Sequence, residues 1–236
     1  MSVQLRKRLR KCIQRIWLTA TCSARRRNTT STFNNTDMTP EAKLQIIDNY
    51  QTLLRRHGDS AEAAQLSPEG QLFRFRKLVT IGDLNGRSIL DLGCGLGALF
   101  PFLSNRFNPI DYTGIDIVPD SIIHATAKYP GARFLCRDIL TDPLEEQFDY
   151  VLISGPFNNQ FPGVNAFLED LVEAAFGCCR IGLAFNFTSS WVNFTNPEMA
   201  YHDPNHVLTY CLRNLSRKVS IHHHYERCDV AVFVYR

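Results

Sequence analysis

Asp91-Leu-Gly-Cys-Gly-Leu-Gly97 sets three glycines at alternate positions directly behind the apolar residues Ile89, Leu90 and Leu92. Glycine tolerates positive φ and carries no Cβ, so a ligand can approach the bare backbone of such a bend. The free amides that open the next helix are then available to donate to it. The apolar run reads as a buried parallel strand and Leu96 to Phe107 as a helix with apolar residues at helical spacing. The bend is therefore a strand-to-helix turn suited to hold a cofactor. An acid, Asp116, closes the next strand-like segment, Tyr112-Thr-Gly-Ile-Asp116.

The loop resembles the D/E-x-G-x-G-x-G motif of class I S-adenosylmethionine-dependent methyltransferases at every fixed position, and the resemblance extends over roughly Arg74 to Arg236. It implies S-adenosylmethionine as cofactor, held at its amino acid end by Asp91 and the loop residues Gly93, Cys94, Gly95 and Gly97. It further implies that Asp116 accepts from the ribose hydroxyls through charge-assisted hydrogen bonds. Asp138, after Phe134-Leu-Cys-Arg137, would accept from the adenine amino group, with Ile117 and Ile139 packing the ring. As plain structure, Asp116 is a strand-end cap and Asp138 a turn cap. Gly93, Gly95 and Ala98 also satisfy the G-x-G-x-x-G/A dinucleotide fingerprint with an acid about twenty residues on, so loop spacing alone leaves a nicotinamide oxidoreductase open. Asp91, the third glycine and the end of the sheet favour the methyl donor.

The fourth strand runs into Ser154-Gly-Pro-Phe-Asn158, where the resemblance places residues facing the methyl group. Ser154, Pro156 and Phe157 match the [DNS]-P-P-[YF] motif of amino-methylating enzymes, but Gly155 replaces its first proline, which puts an amide or exocyclic-amine acceptor in doubt. Ser154 is assigned to the cofactor, and Phe157, Asn158, Asn186 and Arg74 to the substrate. Methyl transfer needs mainly positioning and exclusion of water, and a base only where the acceptor must lose a proton. Candidates for catalysis are His202, Asn158 and Tyr201, with Asp203, His206 and Asn186 beside them. Tyr50, His57 and Arg76 join Arg74 as candidate contacts on the N-terminal helices. His222, His223 and His224 alternate along an edge strand and form no metal set.

These residues must be held by a strand-helix alternation. Strands are expected at Ser88–Leu92, Asp111–Ile115, Ala132–Cys136, Phe148–Ser154, Gly182–Phe187, Val219–His224 and Val230–Tyr235. Helices are expected at Leu96–Phe107, Asp120–Lys128, Gly163–Cys178 and Asp203–Asn214. The pattern predicts an α/β fold: a doubly wound, mostly parallel seven-stranded sheet. No helix separates the last two strands, so they close it as an antiparallel hairpin, the ending that the methyltransferase resemblance implies. Residues 83–236 form this domain. Residues 37–82 form a helical lid over the cofactor site, with Thr39-Pro40-Glu41 and Ser67-Pro68-Glu69 as helix starts.

Residues 1–36 hold nine of the 26 basic residues and no acid, so 17 basic residues face 23 acids over the rest of the chain. The body is mildly acidic, which argues against a broad nucleic-acid face and favours a small-molecule acceptor. The basic segment reads as a disordered extension, a mitochondrial-type transit peptide, a membrane-surface helix or a nucleic-acid arm. The eight cysteines contain no C-x-x-C and no zinc-ligand spacing, which points to a reducing compartment. No apolar run is long enough to span a membrane. The expectation is a soluble, cytoplasmic enzyme, mitochondrial if the leader acts as one. A non-catalytic module that binds the cofactor or a partner is the rival from another class.

Overall fold

Strand and helix alternate as the hydrophobic pattern requires in the computed structural model, which describes residues 38–223 and 228–236. The basic segment 1–36, Asp37 and the His224 end of an expected strand lie outside them. The first helix, α1 (Pro40–His57), starts where Thr39 Oγ1 accepts from Ala42 N, and α2 (Pro68–Leu78) starts where Ser67 Oγ accepts from Gly70 N. Both begin with proline, whose missing N–H costs nothing at a first helical position.

The sheet comprises β1 (Ser88–Leu92), β2 (Asp111–Asp116), β3 (Arg133–Cys136), β4 (Phe148–Ile153), β5 (Cys179–Thr188), β6 (Val219–His222) and β7 (Asp229–Tyr235). Their order is β3-β2-β1-β4-β5-β7-β6, parallel except for β7, which runs antiparallel to both β5 and β6. Helices α3 (Leu99–Ser104), α4 (Pro119–Lys128), α5 (Val164–Gly177) and α6 (Pro204–Tyr210) follow β1, β2, β4 and β5. The seven-stranded doubly wound architecture with its reversed hairpin is the one expected.

Among the boundaries that differ from the expectation, two have a clear local reason. Helix α3 begins at Leu99 rather than Leu96, because Gly93, Gly95 and Gly97 all take positive φ and the chain is still turning through Ala98. Strand β5 extends from Cys179 to Thr188, beyond Gly182–Phe187, since β7 pairs with it from Gly182 through Thr188.

Successive strand residues alternate between two cores. Leu90, Leu92, Ile153, Phe185 and Val232 pack on one face with α5, while Ile89, Leu152, Ala184 and Phe233 pack on the other with α2 and α3. Within the second layer Arg74 of α2 donates through Nε and Nη2 to the two carboxylate oxygens of Asp229 on β7, at 2.8 and 2.7 Å. Both side chains are at least nine-tenths buried, so this fork ties the N-terminal helices to the reversed strand. Removing one partner leaves a buried charge unpaired, a loss of about 3–5 kcal/mol. Arg74→Met is expected to destabilise the protein by about that amount, read as a lowered urea midpoint at unchanged m-value.

Candidate functional site

The carboxyl ends of β1, β2, β3 and β4 lie along one edge, and β1 and β4 are neighbours whose following connections diverge. A doubly wound sheet binds ligands outside that switch point. The protein has there a cleft of about 1390 Å³, above the ~300–1,000 Å³ usual for one small ligand. Its walls are the glycine bend, the ends of β2 and β3, the start of the β4–α5 loop, α5, and the facing sides of α1 and α2.

At the bend each glycine has its own reason. A Cβ on Gly93 would lie 2.4 Å from Pro156 Cγ, and one on Gly97 2.8 Å from Phe134 Cζ, so these two serve packing. A Cβ on Gly95 would meet nothing within 4 Å. It faces the cleft, and it is the position where a ligand would lie against the backbone. Asp116 fixes this geometry: its Oδ2 accepts from Gly95 N and its Oδ1 from Val118 N, both at 2.8 Å. The carboxylate thus caps its strand and braces the bend, and Asp116 is part of the cleft wall.

Asp91 lies beneath the bend, buried, with Tyr112 Oη donating to its Oδ2 at 2.6 Å. Burial lifts its carboxyl to about 7; the bond from Tyr112 opposes the rise and the charge of Asp116 adds to it. Burial also raises Asp116, against the pull of the amides of Val118, Gly95 and Ile117. Cys94 is buried at the cleft wall with its thiol pushed well up, chiefly by burial, and so stays protonated. Asp138 caps the turn after β3 by accepting from Leu140 N and Thr141 Oγ1, and it is ion-paired to Lys43 of α1. Ile117, Ile139 and Ser154 line the same cleft.

The expected cofactor residues are therefore assembled, Gly97 excepted, since it packs behind the wall. The expected acceptor residues fare differently. Phe157 is fully buried against Phe167, Phe185 and His202. His202 is also buried, with Nε2 3.0 Å from the Phe157 carbonyl and Nδ1 2.9 Å from Asn165 Oδ1, and burial pushes its pKa down. Tyr201 Oη accepts from Asn196 N in its own loop, and His206 pairs with Glu169. Asn158 accepts from Thr188 Oγ1 at 3.4 Å, and Asn186 and Arg74 are buried. None of these seven lines the cleft. The loop after β5 folds back through the Ser189–His202 and Asn159–Met199 bridges, which turns its histidine and tyrosine into structural ties.

Three residues were missed or undervalued by the sequence reading. Asn159, one position past the chosen Asn158, lines the cleft and donates through Nδ2 to Tyr50 Oη at 2.8 Å. Lys43 meets Asp138, and Tyr112 holds Asp91. Helical spacing could have flagged Lys43, since it shares a face with Ile46, Ile47 and Tyr50.

The lining carries eight acids, Glu41, Asp59, Glu62, Asp91, Asp116, Asp138, Asp170 and Glu173, against Lys43, Lys128 and Arg137. Those three cations are ion-paired with Asp138, Asp59 and Asp142. Such a cleft favours a positively charged ligand and disfavours a pyrophosphate or a nucleic-acid backbone. Among the described residues no helix is long and apolar enough to cross a membrane, and no cluster of His, Cys, Asp and Glu is arranged to hold a metal ion.

Residues 89–175 match the family described as "Methyltransferase domain". A curated relative, "Putative methyltransferase Rv1506c" of Mycobacterium tuberculosis, is 30% identical over 156 residues, covering 62% of this chain and 92% of that protein. The "Fatty-acid O-methyltransferase" of Mycolicibacterium smegmatis is 28% identical over 49% of this chain, which spans only 42% of that protein's length. Among solved structures, magnesium protoporphyrin IX methyltransferase from Synechocystis PCC 6803 with bound SAM is similar with a TM-score of 0.54, at 16% identity and 96% coverage of both chains.

The raised Asp91 gives the ligand-free protein a distinctive pH dependence. Between the unfolded carboxyl value near 4 and the folded value of about 7, the folded state holds a proton that the unfolded state has lost. This contribution to stability falls as pH rises through that window and is constant above it. Urea titrations from pH 5 to 8 are expected to show the wild type losing stability relative to Asp91→Asn, with the difference flattening above pH 7.

Proposed function

This chain belongs to the class I S-adenosylmethionine-dependent methyltransferases, and we propose that it methylates an oxygen or nitrogen of a small, largely apolar acceptor. The observation that carries the reading is the single continuous cleft. The open face of Gly95, braced by Asp116, shares the cleft with apolar side chains of α1, α2 and α5. Its volume exceeds what one small ligand needs, which supports a cofactor and an acceptor side by side.

The residues present suit the cofactor. Asp91 and the bend amides are assigned to its amino acid end, Asp116 to the ribose hydroxyls, and Asp138 with Ile117 and Ile139 to the adenine. When bound, S-adenosylmethionine supplies a methyl group on a positively charged sulfur. The chain's own contribution is to hold and align the acceptor and keep water out. Residues 37–82 act as the lid: Leu44, Leu54, Leu66, Leu72 and Phe75 offer apolar surface to the acceptor. Tyr50 accepts from Asn159, so its own hydroxyl proton stays uncommitted to that bond, and burial raises its pKa so that it remains neutral. The activity in the name of the fatty-acid O-methyltransferase relative agrees with a long apolar acceptor, and the acid-rich lining weighs against polyanionic ones.

The test is transfer of radiolabelled methyl groups by the full chain into a cell extract. Label is expected in the organic-soluble fraction, and label recovered in nucleic acid or protein would contradict the reading. Gly95→Val fills the open face and strains a position at φ +52°. It is expected to reduce transfer to background while the circular dichroism of the fold is kept.

A further inference from the structure

Tyr50 of α1 and Asn159 of the β4–α5 loop both line the cleft, and Asn159 Nδ2 donates to Tyr50 Oη at 2.8 Å. The bond leaves each side chain with one further capacity: Tyr50, whose oxygen is accepting, still has its proton to donate, and Asn159 Oδ1 can still accept. Among the described residues nothing takes the first or supplies the second. Both side chains are half-buried in the wall of a large cavity, so a ligand in it can reach them. The backbone under Asn159 is fixed: it bridges Met199, with Gln160 N donating to Glu198 O at 3.0 Å and Ala200 N to Asn158 O at 2.9 Å. The surroundings are apolar. Ile46, one helical turn before Tyr50, and Phe167 of α5 line the cleft and pack on Phe161 and Ala200, close in sequence to Asn159 and to its bridging partner. Tyr50 also feels the charge of Asp116, which places the pair within electrostatic reach of the glycine bend. A few fixed polar groups set among apolar walls are what orient a ligand in a pocket.

We propose that Tyr50 and Asn159 hold the acceptor through a group that accepts from the Tyr50 hydroxyl and donates to Asn159 Oδ1, which selects a hydroxyl or a carboxamide. The inference rests on reading the cleft as a methyl-transfer site, and it narrows the acceptor. One hydroxyl meets both demands, as does one amide with its C=O toward Tyr50 and its N–H toward Asn159. A carboxylate accepts from Tyr50 but brings no proton for Oδ1, and it would enter a cleft whose wall already carries eight acids. An ether has the same lack without the charge. An ammonium group donates to Oδ1 and leaves the Tyr50 proton without an acceptor. The pair binds and aligns the group and takes no proton from it, since a side-chain amide is no base and burial keeps the Tyr50 phenol neutral.

The experiment uses the full chain saturated with S-adenosylhomocysteine and reads probe affinity from the concentration dependence of the unfolding midpoint. The probes are octan-1-ol, octyl methyl ether and octanoate, which share a tail and differ in head group. The alcohol is expected to bind about tenfold more tightly than the ether, and octanoate more weakly than the alcohol. Tyr50→Phe removes the donor and is expected to weaken alcohol and ether alike. Asn159→Ala removes the acceptor and is expected to weaken the alcohol by about tenfold while the ether keeps its affinity. A purely structural role would move both probes together in both variants. The proposal is overturned if octanoate or the ether matches the alcohol, if Asn159→Ala weakens both probes equally or neither, or if Tyr50→Phe leaves the alcohol untouched. No response to any probe in the loaded wild type overturns it as well. Loss of S-adenosylhomocysteine binding in Tyr50→Phe alone would assign the hydroxyl to the cofactor and likewise overturn it. A wild type that fails to bind S-adenosylhomocysteine sinks the methyl-transfer reading itself.

Discussion

The carboxylate of Asp116 accepting from Gly95 N is the contact on which the site depends. It joins the tip of β2 to the bend that follows β1, two strands whose register is fixed by five parallel pairs. Gly93 N and Cys94 N also donate to Ile115 O, so the bend is tied to β2 at three amides, of which Gly95 N is the one bound by a side chain. With these bonds, Gly95 is held with its bare face toward the cleft, and the amides around it are oriented before any ligand arrives. Binding then costs less ordering entropy than a floppy loop would require. On the proposed reading one residue would serve local structure and ligand recognition together, so its cap role and a sugar-binding role are not alternatives.

Burial shapes the acids at the head of the cleft: it lifts Asp91 to about 7, and it raises Asp116 as well, against the pull of the amides of Val118, Gly95 and Ile117. The cations lining the cleft are paired, and the excess of acids suits a donor carrying a sulfonium and an ammonium. The same excess explains why a dinucleotide is a poor match although the glycine spacing alone allows one. The Lys43–Asp138 and Lys128–Asp59 ion pairs and the Asn159–Tyr50 bond all cross from the N-terminal helical segment to the sheet domain around the rim. The helical segment over the cleft is thus tied down by side chains that themselves line it.

Much of this was legible in the sequence because it rests on short-range rules. Ile89, Leu90 and Leu92 announce a buried strand, Asp91 through Gly97 a bend, and the missing helix before Val230 a reversed hairpin. The acceptor side was less legible, since residue type does not reveal which way a side chain points once a strand has ended. Phe157 and Asn158 turn into the fold while Asn159 turns out, and one position separates success from failure. His202 was a candidate base in the insertion after the fifth strand, but two β-bridges fold that segment back and the ring is buried. Tyr112 stood only as the start of a strand-like segment, because its bond to Asp91 depends on the pairing of two strands about twenty residues apart.

The claim that Asp116 both braces the bend and grips the cofactor's sugar is tested most directly by titrating S-adenosylhomocysteine into Asp116→Ala in a calorimeter. Two charge-assisted hydrogen bonds, at about 1.5–3 kcal/mol each, are at stake, so affinity should fall by about a hundredfold or more while the folded sheet persists. Affinity within about twofold of the wild type would place the cofactor elsewhere and contradict the account.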